Sequence, residues 1–155
     1  YPDNMFTKFK IAVVLIWFCA TSTYAQAPNS PIWDKPIRQQ IEYFSEIYGV
    51  DPDIVDKVIE CESGGDHGAI GDGGRSKGIA QIQGPTWKDL EQKFNVQYTE
   101  DLHYMSQFDQ LKLTTWSIAN GEGRRWTAYR AIMNGGTYSF YSKQLKKHFN
   151  VTCKL

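Results

Sequence analysis

Glu62 is the side chain in this sequence whose neighbours best suit it to acid–base chemistry. Val55, Val58, Ile59 and Glu62 fall at i, i+3, i+4 and i+7, which gathers side chains on one face of a helix. A carboxylate on an apolar face has to be paired, hydrogen-bonded or pushed up in pKa by loss of water. A raised pKa is what a general acid working near neutral pH requires. The plainer alternative is a carboxylate at a helix end that turns to solvent, and spacing alone favours it. Other chemistries find less support. The glycines between Gly64 and Gly78 suggest a phosphate cradle, but the G-x-x-x-x-G-K-[ST] spacing is absent. His67, His103 and His148 are scattered and no Cys-x-x-Cys occurs, so neither a metal nor another cofactor is expected.

The elements that must position Glu62 are helical. Ile37, Ile41, Phe44, Ile47 and Tyr48 recur at helical steps until Gly49 stops the run. Asp51-Pro52 supplies an N-cap and a first-turn proline, and a helix continues to Ser63-Gly64-Gly65. The glycine-dense stretch 64–78 demands a loop or at most a short hairpin. Thr86, with Asp89 behind it, reads as a capping-box start for a helix carrying Trp87, Leu90 and Phe94. A longer helix is predicted around 106–119, with Phe108, Leu111, Thr115, Trp116 and Ala119 on one face and Asn120-Gly121 at its end. Trp126, Tyr129, Ile132 and Met133 make another, stopped at Asn134-Gly135-Gly136, and residues 138–148 read as a last helix. The expected fold class is mainly α, with a glycine-rich loop or small β insert beside the helix of Glu62.

Two segments resemble a known family. Ile59-Glu60-Cys61-Glu62-Ser63-Gly64-Gly65 is similar to the catalytic Glu-Ser segment of soluble lytic transglycosylases and goose-type lysozymes. Ser76-Lys77-Gly78-Ile79-Ala80-Gln81-Ile82-Gln83-Gly84-Pro85-Thr86-Trp87 resembles their second motif, and the order and gap both fit. The likeness runs from about Ile37 to Lys147. It implies a lysozyme-like fold over residues 37–155 and a peptidoglycan-cleaving enzyme with Glu62 as catalytic acid and base. It also implies substrate-binding or loop-holding roles for Ser76 and Gln81, although Gln81 reads equally well as a satisfied amide in a turn. Ser63 either bonds the glutamate or caps the helix end.

The family's third motif, Ala-Tyr-Asn-x-Gly, departs from this chain. The nearest match is Ile118-Ala119-Asn120-Gly121, which offers Asn120 as a substrate contact but has Ala119 at the tyrosine position; Ile132-Met133-Asn134-Gly135-Gly136 is a weaker match. The tyrosine's role then passes to Tyr129, Tyr138 or Tyr141. Trp87, Trp116 and Trp126 either stack on sugar rings or pack the core, and their helical spacing favours the core.

Glycoside cleavage commonly uses two carboxylates. Asp66, Asp72 and Glu122 are loop residues that could approach Glu62. One carboxylate suffices for a lytic transglycosylase, which closes a 1,6-anhydro ring on the cleaved N-acetylmuramic acid–N-acetylglucosamine strand. A hydrolytic muramidase would need positioned water, with Asp72 as helper. A non-catalytic wall-binding or assembly domain is a third reading, disfavoured because a binding module has no use for a carboxylate on an apolar helix face.

The N-terminal stretch bears on location. Met5, Lys8 and Lys10 precede an apolar run from Ile11 to Ala20 and the ending Thr23-Tyr24-Ala25. This reads as a signal peptide over residues 5–25, too short to span a bilayer, with residues 1–4 as an upstream extension and 26–36 as an extended lead-in. Of 17 basic and 17 acidic side chains, Lys8, Lys10 and Asp3 would leave with it, so the remainder carries 15 and 16, a formal charge of −1. That balance gives no reason to expect nucleic acid or an anionic membrane as partner. The expected protein is a secreted or periplasmic monomer, free of the membrane after cleavage, acting on peptidoglycan strands and open to service in a secretion or conjugation apparatus. Cys61 and Cys153 remain, and an oxidising compartment would let them form one disulfide.

Overall fold

The computed structural model describes residues 30–95, 106–142 and 146–155. The proposed signal peptide, the upstream extension and the start of the lead-in lie outside the described residues. From Ser30 the chain enters through a 3-10 turn at Ile32–Asp34 rather than a fully extended lead-in.

Helix α1 (Ile37–Tyr48) ends on Gly49, whose φ of 69° is a left-handed cap. Gln40, Ile41, Phe44 and Ser45 form its buried side, while Ile47 is exposed. Helix α2 (Pro52–Ser63) starts where the Asp51 carboxylate accepts the Asp53 N–H at 2.9 Å, with Pro52 in the first turn. Gly64, at φ 67°, ends it. Val55, Val58 and Ile59 are buried along one face, and that face delivers Glu62 at the last turn.

The glycine-rich stretch folds into a three-stranded antiparallel sheet of two-residue strands: β1 (Ile70–Gly71), β2 (Ser76–Lys77) and β3 (Ile82–Gln83), in that order. Helix α3 (Gly84–Phe94) begins two residues before Thr86, with Pro85 in its first turn and no side-chain cap. The capping-box start at Thr86 is therefore corrected: the fixed φ of Pro85 already suits a helical first turn.

Helix α4 (Gln107–Ala119) is capped by Ser106, whose hydroxyl accepts the Asp109 N–H at 3.1 Å. It packs against α1 and α2 and is buried on most sides, which is how Leu111 and Leu113, two residues apart, both enter the core. Two of its buried hydroxyls bond back to the preceding turn, Thr115 to Leu111 O and Ser117 to Leu113 O, each at 2.7 Å, while Thr114 Oγ1 is buried without a hydrogen-bond partner. A 3-10 turn at Glu122–Arg125 leads into α5 (Thr127–Met133). One hydrophobic core joins all these helices, from Ile41 and Val58 through Leu90 and Leu111 to Ala131.

The expected helix over 138–148 is not formed. Residues Thr137–Ser142 (β4) and Lys147–Thr152 (β5) make an antiparallel hairpin, pairing Tyr138 with Val151 and Phe140 with Phe149. The physical reason lies in the sequence Thr-Tyr-Ser-Phe-Tyr-Ser, whose side chains alternate half-buried and exposed with the period of a strand. The Cys61–Cys153 disulfide joins the end of this hairpin to α2, beside Glu62. The protein is thus mainly helical with small antiparallel sheets, and no helix among the described residues is long and apolar enough to cross a membrane.

Candidate active site

Glu62 opens into a cleft of about 280 Å³ built by three parts of the chain. The end of α2 gives Glu62; the small sheet gives Asp72, Gln81, Ile82 and Gln83, with Thr86 of α3 beside them; and Arg125, Trp126, Thr127 and Arg130 come from the approach to α5 and its first turn. Glu62 Oε1 accepts the Ala128 backbone N–H at 3.3 Å. Burial pushes the Glu62 carboxyl above the ordinary carboxylate value, and the Asp72 charge adds to that rise. The Ala128 N–H and the Arg130 charge oppose it. A carboxyl so placed holds its proton into a higher pH range, yet keeps a donor and a cation ready for its ionised form.

The second motif supplies part of the lining of this cleft. Ser63 does not bond the glutamate. Its hydroxyl donates to Ile79 O at 2.6 Å and accepts Gly65 N–H at 3.1 Å, tying the end of α2 to the turn before β3. Gln81 sits at φ 50° and donates from Nε2 to Ala69 O at 3.0 Å and Gly78 O at 2.9 Å, so its amide both lines the cleft and braces the insert. Ser76 is buried, and its hydroxyl donates to Asp72 Oδ2 at 2.5 Å. Gln83 donates to the same oxygen at 3.1 Å, which fixes Asp72 at the cleft edge.

Apart from Trp126, the structure does not bring the remaining sequence candidates to the cleft lining. Asn120 is exposed at the end of α4 and spends its amide on Trp116 O at 2.8 Å. Asn134 does the same on Arg130 O at 2.7 Å. Tyr129 packs its ring against Gly123, where an added Cβ would meet it. Tyr141 is exposed on the hairpin, while the Tyr138 hydroxyl accepts from Arg130 Nη1 at 3.4 Å and so reaches the cleft through that arginine. Asp66 turns to its own loop, accepting Gly68 N–H at 2.8 Å. Glu122 bonds Lys93 and Arg125, each at 2.7 Å, and these cations hold its carboxyl below the usual range. Trp87 and Trp126 are core residues; the Trp126 indole donates to Ala80 O at 2.8 Å, which sets the start of α5 against the second motif. Trp116 packs on Phe94 with ring centroids 4.5 Å apart.

Sequence reasoning missed Arg130, Thr127 and Gln83. A signal existed for Gln83: it belongs to the Ser76–Trp87 segment, two residues after Gln81. Among the described residues no group of His, Cys, Asp or Glu could hold a metal ion. Neither a scan against protein-family models nor a search of curated proteins finds a match to this chain.

Proposed function

We propose that this protein is a peptidoglycan-cleaving lytic transglycosylase with a lysozyme-like fold, acting outside the cytoplasm on glycan strands. One observation carries the reading: Glu62 ends an otherwise apolar helix face with its carboxyl half-buried in a polar cleft and its pKa raised by the loss of water there. The resemblance of the Glu62-Ser63 segment and of Ser76–Trp87 to that family supports it.

In the proposed reaction the protonated Glu62 donates its proton to the glycosidic oxygen as the C1–O4 bond breaks. The substrate's own 2-acetamido oxygen stabilises the positive charge growing at C1. The Ala128 N–H, 3.3 Å from Oε1, supports the carboxylate that Glu62 becomes. That carboxylate takes the proton of the sugar's C6 hydroxyl while O6 bonds to C1, which closes a 1,6-anhydro ring and restores Glu62. One acid–base group serves both halves of the reaction.

The placement of Asp72 in the same cleft favours a second reading, hydrolysis, in which Asp72 orients water. A turbidity assay on a suspension of purified cell walls tests the shared claim. The protein should clear the suspension and Glu62→Gln should not; clearing by neither protein overturns an enzymatic reading.

A further inference from the structure

Arg130 makes no ion pair among the described residues, although its charge acts on Glu62 across the cleft, and it stands where a substrate can supply a direct anionic partner. It lines the cleft with Glu62, yet its guanidinium bonds only neutral groups: Nη1 donates to the Tyr138 hydroxyl at 3.4 Å and Nη2 to Thr127 Oγ1 at 3.2 Å. The guanidinium also lies over the Tyr138 ring, 4.7 Å from its centroid. Its Nε is buried and has no hydrogen-bond partner. Arg125, in the same cleft, is by contrast bound by the carboxylates of Asp89 and Glu122. Among the described residues no carboxylate lies within ion-pair distance of Arg130. These bonds of 3.2–3.4 Å to neutral hydroxyls are longer than the roughly 2.7–2.9 Å that a guanidinium makes to an anionic oxygen. The cost of drawing this cation partly out of water is therefore poorly offset within the chain.

We propose that Arg130 recognises a carboxylate carried on the glycan beside the scissile bond, and so selects acidic strands over neutral ones. The planar fork of a guanidinium matches a carboxylate, and Tyr138 and Thr127 hold that fork in place. A more highly charged anion would meet Asp72 in the same cleft, which favours a monoanion. The inference rests on the proposed function. Two sources share the chemistry: the lactyl carboxylate of a strand stripped of peptide, and a carboxylate on the peptide that the lactyl group otherwise carries.

The test measures the affinity of Glu62→Gln and of Glu62→Gln/Arg130→Gln for three hexasaccharides by titration calorimetry. One has free lactyl carboxylates, one carries the peptides, and one is the neutral N-acetylglucosamine oligomer. The added Arg130→Gln change should weaken binding of a carboxylate-bearing sugar by roughly 10- to 100-fold, the worth of a charge-assisted hydrogen bond, and leave the neutral sugar within about twofold. Loss on the stripped sugar alone identifies the lactyl group, and loss on the peptide-bearing sugar alone identifies the peptide. Equal loss on all three, or on none, overturns the assignment while the parent reading stands. Failure of Glu62→Gln to bind any of them overturns both. Arg130→Lys keeps the charge without the fork and should fall between the two, with its circular dichroism unchanged.

Discussion

Replacing Gly78 by alanine should disturb the scaffold around the second motif, and the structure gives the size of the loss. Gly78 has a φ of 75°, a left-handed conformation that costs an ordinary L-residue roughly 1–2 kcal/mol. The new Cβ would also overlap the side-chain amide of Gln110. Gln110 is 1 % exposed, and its Oε1 accepts the Ala80 N–H at 3.1 Å. Displacing it overpacks a closed core, at roughly 1–3 kcal/mol. The two effects predict a loss of roughly 2–5 kcal/mol, a large share of the stability of a typical domain. Gly73→Ala is the control. Its φ is 65° and a Cβ there meets nothing within 4 Å, so only the backbone cost of roughly 1–2 kcal/mol applies. Urea unfolding with the disulfide intact measures both variants, provided their slopes agree. Wall cleavage should fall with Gly78→Ala as well, because Gly78 O and Ala80 O hold Gln81 and Trp126. Equal stability losses for the two variants would refute the close approach of Gln110 on which the reasoning stands.

Three further outcomes follow. The folded-state pKa of Glu62 is raised by burial, so the folded protein holds that proton more tightly than the unfolded chain. Its contribution to stability is present below the unfolded carboxyl value and is lost as pH rises through the folded one; Glu62→Gln should therefore be the more stable protein at neutral pH, with the gap closing in acid, by urea unfolding at several pH values. Asp72 helps to raise that pKa, so Asp72→Asn should move the alkaline limb of the pH–rate profile to lower pH and cost far less activity than Glu62→Gln; a crippled Asp72→Asn would favour hydrolysis. Breaking the Cys61–Cys153 link, which spans 92 residues, with paired serines should cost up to about 4–5 kcal/mol in the chain-entropy model, and the native protein should show no thiol at these positions to a labelling reagent before reduction.

The helices with local punctuation were legible in the sequence. Asp51-Pro52 and Gly64 bracket α2 because capping depends on residues next to the helix, and the apolar spacing then put Glu62 on the buried face. The hairpin of Tyr138 and Phe149 was misread as a helix, since an aromatic-rich run of this length satisfies both periods loosely. The site was legible only on its sequence-local side. Ala128 meets Glu62 from 66 residues away, and no spacing rule links them. Arg130 is invisible for the same reason, since it joins Glu62 in the cleft only once α5 is packed against α2. Asn120 looked like a motif residue, but an asparagine just past a helix finds its nearest acceptor in the helix's own last turn.

The central claim is that one half-buried carboxyl, Glu62, both gives and takes the proton of glycan cleavage. Mass spectrometry of fragments released from purified peptidoglycan tests it most directly, because the two halves of the reaction leave a signature in the product. The account predicts 1,6-anhydro ends, lighter by one water than hydrolysed ends, from the unaltered protein and from Asp72→Asn, and no fragments from Glu62→Gln. Fragments released at full rate by Glu62→Gln, or reducing ends in place of anhydro ends from the unaltered protein, would contradict it.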